Sequence, residues 1–181
     1  MIALAILQRC SIKKGFRHSI VIMKAIQTGK FLVSLLLPLG IGAIAGLFTA
    51  KAIPGWYALL NKPSFNPPNW VFGPVWTTLY IVLGISLFLI WKLESGRERN
   101  QAILIFMVQL LLNFAWSFCF FYFKMIGVAL IDIVVLWFAI AVMIFRFYKL
   151  NPLAAYINIP YLLWVTFASV LNGAYFFLNL N

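Results

Sequence analysis

The sequence predicts an all-α integral membrane protein: a bundle of five transmembrane helices with a proline- and aromatic-rich lid loop between the first and second. Three observations lead there. Of the 181 residues, 65% are hydrophobic and 9% are charged, and mean hydropathy is +1.02. A soluble domain needs roughly 25% charged residues to face water. Runs long enough to cross a bilayer, about 20 residues, occur five times. The basic residues gather at the ends of those runs.

Spans are expected at 31–50, 71–92, 101–122, 126–148 and 152–178 of a membrane domain covering 31–181. Helices are the natural solution because spanning backbone must satisfy its own hydrogen bonds. Residues 1–30 form a basic extension. Met1–Gln8 is apolar but too short to span, and its basic residues follow it, the reverse of a signal peptide. A surface-lying helix, a targeting leader, or a start at Met23 all fit this segment. Cys10 and Cys119 lie too far apart in character to suggest a disulfide, and His18 is the single histidine. No set of residues suits a structural zinc or a catalytic triad, so no metal is expected.

The net charge of +11 does not mark a nucleic-acid partner. Eleven of the fourteen Lys and Arg fall in the N-terminal segment and in the loops after the second and fourth spans. Only Lys51, Lys62 and Lys124 lie on the other side. This bias predicts a cytoplasmic N-terminus in a bacterial cell membrane.

The loop Lys51–Trp70 is the most informative stretch. Pro54, Pro63, Pro67 and Pro68 alternate with Trp56, Tyr57, Phe65 and Trp70. Proline fixes φ and removes a donor, so a rigid, irregular loop is expected. Its rings suit either an interfacial anchor or a lid over the bundle.

Periodicity assigns inward faces. Gln109, Asn113, Trp116 and Phe120 recur at helical spacing in the third span, bordered by Ser117. Trp164, Phe167, Ala168, Leu171 and Tyr175 do so in the fifth, with Asn172 nearby and Pro160 loosening the first turn. Trp76, Tyr80 and Leu83 share a face of the second, beside Gly84. Such stripes serve packing, or line a cavity suited to a flat apolar ligand. Asp132 is the sole charge inside a span away from its ends; it suits a functional role or a hydrogen bond to a neighbouring helix end. Gly42 and Gly46 have the GxxxG spacing that lets helices approach closely.

The run WYxxLxKPxFxPPxWxFGPVWxxLY from Trp56 to Tyr80 resembles the signature of the TspO/translocator protein (TspO/MBR, peripheral benzodiazepine receptor-like) family. QLLLNFAWSFCFF from Gln109, GVALID from Gly127, NPLAAY from Asn151 and PYLLWVTFASVLN from Pro160 continue the likeness in order. The resemblance implies a five-helix bundle, often a homodimer, with a pocket closed by the first loop. It implies a membrane receptor or sensor that binds protoporphyrin IX-like tetrapyrroles and other flat apolar molecules. Some relatives degrade porphyrin under light and oxygen, and the tryptophans linked to that activity match Trp76 and Trp164. The family's ligand-contacting positions also match Tyr57, Asn113, Trp116, Ala168 and Leu171, to which the face analysis adds Tyr80, Phe120 and Phe167. Trp56, Pro63, Phe65, Pro67, Pro68 and Trp70 would form the lid.

No cofactor is required by this reading, and porphyrin is ligand or substrate. The spans hold no histidine, so a metal-free porphyrin fits better than a ligated haem. Two departures stand out. Tyr175 is followed by no Lys or Arg, so the family's sterol pattern is absent. Phe65 stands where many members carry Trp. The alternatives are a transporter of small apolar molecules, or a membrane scaffold whose aromatic faces only pack.

Overall fold

The computed structural model describes residues 2–180, with side chains from Met23 onward. The chain is helical, with no strand among the described residues. Its elements are α1 (Ile2–Ala52), α2 (Trp56–Leu59), α3 (Asn69–Trp91), α4 (Arg97–Ser117), a π-helical turn (Phe118–Tyr122), α5 (Ile126–Leu150), α6 (Pro152–Tyr156) and α7 (Ile159–Leu178). Five stretches of the described residues are long and apolar enough to cross a membrane: Met23–Ala52, Asn69–Trp91, Arg97–Tyr122, Ile126–Leu150 and Pro152–Leu178. The predicted five-helix membrane bundle is the observed one. The questions about Cys10, His18 and a start at Met23 lie outside the described side chains.

One boundary and the internal form of two other spans differ from expectation, each for a physical reason. The first span begins before residue 31, because α1 runs through Met23–Lys30 without a break. The third ends in a wide turn, where Phe123 N–H donates to Phe118 O at 2.9 Å across five residues. The fifth is divided. Asn151 caps α6, its Oδ1 accepting from Ala154 N–H at 3.2 Å with Pro152 in the first turn. The helix then breaks at Ile157–Asn158, and Pro160 sits in the first turn of α7. Proline has no N–H and its ring clashes with a preceding carbonyl, so it starts a helix more readily than it continues one.

A close backbone approach joins α1 and α3. A Cβ on Gly84 would lie 2.7 Å from Leu35 Cα and 2.9 Å from Ser34 O, so only glycine fits. Pro38 lies inside α1 and has no N–H, so Ser34 O lacks its helical donor. That carbonyl faces Gly84, where a Cα–H can approach it. Further along α1, Gly42 faces the Tyr80 ring, whereas a Cβ on Gly46 would meet nothing within 4 Å. The GxxxG pair therefore splits: Gly42 lets the Tyr80 ring of α3 lie against α1, Gly46 opens space, and Gly84 brings the two backbones together.

The main core is built from Leu83, Leu87 and Ile90 of α3, Phe106 and Leu110 of α4, Ile133, Leu136, Ile140, Met143 and Phe147 of α5, and Tyr161 and Val165 of α7. Side chains such as Leu36, Leu104, Ile131, Phe138 and Leu163 point outward, as lipid-facing positions do. Lys30 donates from Nζ to Trp91 O at 3.2 Å, placing a cation at the negative end of α3. Asp132 is half-buried, and its Oδ2 is buried without a partner instead of bonding a helix end.

Gly84→Ala is expected to lower stability by about 1–3 kcal/mol, the range for overpacking. Gly40→Ala, where a Cβ meets nothing within 4 Å, should be neutral or stabilising. Thermal unfolding of the two variants in detergent checks the contrast.

Candidate ligand pocket

The site begins with the three predicted stripes, which converge. Trp76 of α3 stacks on Tyr80 with ring centroids 5.6 Å apart and planes at 27°. It meets Trp116 of α4 at 6.4 Å and 32°, and Trp164 of α7 at 6.4 Å and 89°. Phe72 reaches Trp164 at 6.2 Å. Phe167 lies against Trp164 at 5.5 Å, and Phe120 against Trp116 at 5.6 Å. Offset and edge-on pairs like these are the favourable ring geometries.

The rings fill their own meeting place. Only about 30 Å³ remains among Trp76, Trp116, Phe120, Trp164, Ala168 and Leu171, room for roughly one water. The open volume lies on the other side of Trp76 and Trp116, where a cavity of about 680 Å³ separates α1 from α3 and α4. Its walls are Gly42, Ala45, Gly46 and Thr49 of α1, Trp76 and Tyr80 of α3, Trp116 and Ser117 of α4, and Tyr57 of the lid. The physical difference is side-chain size: α7 brings bulky rings, whereas α1 brings glycine and alanine. Tyr57, Phe72, Trp76, Trp116 and Phe121 border both spaces, so they form the wall between them.

Behind that wall runs a buried polar chain. Tyr80 OH donates to Asn113 Oδ1 at 2.6 Å, Asn113 Nδ2 donates to Tyr161 OH at 3.2 Å, and Tyr161 OH donates to Gln109 Oε1 at 2.9 Å. Asn113 thus orients Tyr80 and does not itself line the cavity. Trp116 Nε1 donates to Asn172 Oδ1 at 2.9 Å, and Asn172 Nδ2 donates to Ile126 O at 3.1 Å, which fixes the indole. Trp164 Nε1 is buried without a partner.

The lid follows from its sequence. Prolines stop α1 from continuing and carry the chain in extended form to α3, with Pro68 at φ −56° and ψ 142°. One helical turn, α2, buries Tyr57. Tyr57 OH donates to Asn66 Oδ1 at 3.1 Å, and Tyr175 OH lies 2.7 Å from Tyr57 OH and 2.8 Å from Asn66 Oδ1. Asn61 N–H donates to Asn179 Oδ1 at 2.9 Å, Asn61 Nδ2 to Leu178 O at 3.3 Å, and Asn179 Nδ2 to Asn61 O at 3.1 Å. Trp56 packs on Phe120 at 5.8 Å and Phe65 on Phe167 at 6.5 Å. Pro63 is buried and Pro67 half-buried, whereas Pro68 is exposed. Trp70 is 74% exposed and stands on the cavity rim.

Sequence reasoning missed Tyr161, Phe121 and the whole α1 wall. Tyr161 shares a helical face with Val165, Ala168 and Asn172, so its period was there to read. Gly42, Gly46, Thr49 and Ile53 also recur at helical spacing. That stripe of small residues signalled empty volume as much as close approach.

Two outcomes test this geometry. Interhelical hydrogen bonds in membranes contribute about 0.6 kcal/mol on average, so Tyr80→Phe, which removes one, should cost less than Asn113→Ala, which removes two. Asn113→Ala leaves the Tyr80 hydroxyl buried without its acceptor and should cost about 1–3 kcal/mol, read by thermal unfolding. Burial holds the Tyr57 phenol above its ordinary value of 10.0. A folded-state pKa above the unfolded one means the knot's contribution is complete below pH 10.0 and is lost as pH rises through the higher value. Ultraviolet titration against Tyr57→Phe should show one late-ionising phenol disappear.

The comparisons with known proteins agree in kind with this architecture. The TspO/MBR family model matches residues 34–178. The tryptophan-rich protein TspO of Archaeoglobus fulgidus is 41% identical over 151 residues, 83% of this chain and 97% of the relative. The translocator protein of Homo sapiens is 42% identical over 120 residues, 65% of this chain and 70% of the relative. The tryptophan-rich sensory protein of Cereibacter sphaeroides is 36% identical over 126 residues, 70% of this chain and 78% of the relative. The chain is an integral membrane protein and belongs to the TspO/MBR family.

Proposed function

We propose that the protein is a membrane receptor or sensor that holds a porphyrin-like tetrapyrrole, or a similarly flat apolar molecule, against the Trp76–Trp116 wall. One observation carries the reading: a cavity of about 680 Å³ inside a five-span bundle, walled by stacked rings on one side and small residues on the other. Small-molecule sites commonly span roughly 300–1,000 Å³ and are mostly apolar with a few polar groups. Trp76, Tyr80 and Trp116 supply the stacking surface, and Tyr57 and Thr49 supply polar atoms. Lys51 and Lys62 stand at the lid end, where peripheral carboxylates of an amphipathic ligand would meet cation and water. The same reading takes the N-terminus as cytoplasmic and the protein as a homodimer.

A second reading, light- and oxygen-dependent porphyrin degradation, draws support from the edge-on contact of Trp76 and Trp164 at 6.4 Å. Two oxidisable indoles then lie within one ring's width of each other, with Trp76 at the cavity surface.

Titrating the purified protein with protoporphyrin IX in the dark should quench tryptophan fluorescence to saturation. One ring–ring contact contributes about 0.5–1.5 kcal/mol, so Trp76→Phe and Trp116→Phe should each weaken binding no more than about tenfold. Under illumination, bleaching that vanishes in Trp76→Phe/Trp164→Phe while dark binding persists would favour the enzyme. Bleaching equal in both would remove these tryptophans from the chemistry. Absence of saturable quenching would return the aromatic faces to packing alone.

A further inference from the structure

We propose that the ligand reaches the cavity sideways from the bilayer, through a mouth between α1 and α3, while the lid stays shut as a roof. The inference rests on the ligand-binding reading above and adds the route and the phase from which the ligand comes.

The mouth is visible in the residues that line the cavity and yet are exposed: Ala43, Gly46 and Ala50 on α1, and Gly73 and Thr77 on α3. All lie within the spans Met23–Ala52 and Asn69–Trp91, so the opening faces hydrocarbon instead of water. None of these five is larger than threonine, and the larger exposed rim residues, Asn69 and Trp70, stand at the lid end of α3. A Cβ added at Gly46 or at Gly73 would meet nothing within 4 Å, so no side chain closes the gap from either helix. Outward-facing Leu47 and Ile81 flank it.

The chemistry of the rim selects for apolar passage. Thr77 Oγ1 donates to Gly73 O at 2.9 Å, and Thr49 Oγ1 donates to Ala45 O at 3.1 Å. Both hydroxyl protons are used within their own helices, so this part of the rim presents no free hydroxyl donor; the side-chain N–H groups of Asn69 and Trp70 stand at its lid end. A flat apolar molecule concentrates in the bilayer and meets a rim of matching character there.

The competing route is fastened. Lifting the lid breaks the three Asn61 and Asn179 side-chain bonds to the far end of α7. It also breaks the Tyr57–Asn66–Tyr175 knot. The sideways route needs neither set of bonds broken.

The test measures association and release of protoporphyrin IX by tryptophan quenching, with the full-length protein in lipid vesicles and the porphyrin delivered from other vesicles. Gly46→Leu/Gly73→Leu should slow both rates roughly tenfold while shifting Kd much less, the pattern of a blocked path instead of a damaged site. Asn179→Ala, which removes two of the three latch bonds and so loosens the lid, should leave the rates unchanged. To keep folding out of the question, Gly46→Cys in a Cys10→Ser/Cys119→Ser background can be labelled after purification with a bulky apolar maleimide, and should show the same slowing on labelling. Faster exchange in Asn179→Ala, with no slowing by either plug, would overturn the sideways route in favour of the lid. Slowing matched by an equal loss of affinity would overturn it too, by making Gly46 part of the site. Absence of saturable quenching in the unaltered protein would overturn the ligand reading and the route together.

Discussion

The approach of α1 to α3 at Gly84 is the constraint on which the other features depend. Pro38 leaves the Ser34 carbonyl without a helical donor, and only a residue without Cβ can bring α3 onto that carbonyl. The two helices are pinned there, deep in the bundle. Towards the lid they are held apart by the Tyr80 ring against Gly42, and beyond it Gly46 faces open space. The cavity is therefore a product of one tight contact and one spacer ring. A larger residue at position 84 would remove the pin, and with it the reason the gap has a defined width.

The spacer is itself held. Tyr80 keeps its position because its hydroxyl donates to Asn113, which is linked through Tyr161 to Gln109. Each such bond contributes little to stability in a membrane, about 0.6 kcal/mol on average, but the chain leaves few alternative orientations for the rings it ties. Trp116 is fixed in the same manner by Asn172, which also binds the start of α5 through Ile126 O. Amides within the spans act here as orienting groups for aromatic side chains, and the aromatic side chains form the cavity surface.

Two departures from regular backbone complete the lid end. The wide turn at Phe118–Tyr122 adds a residue to the helical ladder, so Phe120 and Phe121 both reach Tyr57, at 6.4 and 5.8 Å between ring centroids. The single turn α2 presents Tyr57 from above. Irregular backbone is tolerated in a membrane protein where it lies within protein or lines a cavity, and both pieces do so here. Tyr175 joins them to α7.

The sequence by itself determined the medium, the number of spans and the inward faces. A bilayer imposes a span length and excludes charge, and both leave one-dimensional traces. The period of Gln109, Asn113, Trp116 and Phe120, or of Trp164, Ala168 and Leu171, shows which faces turn inward for the same reason. Which of those faces would meet ring to ring and which would leave a void was decided by tertiary structure. Gly42 and Gly46 read as a packing motif, yet a small side chain marks either close approach or empty space, depending on the partner helix. Gly84 was adjacent to the predicted stripe, but its role needs Pro38 and Ser34, nearly fifty residues away. The latch between Asn61 and Asn179 leaves no periodic signal, because loop ends meet only after the helices have packed.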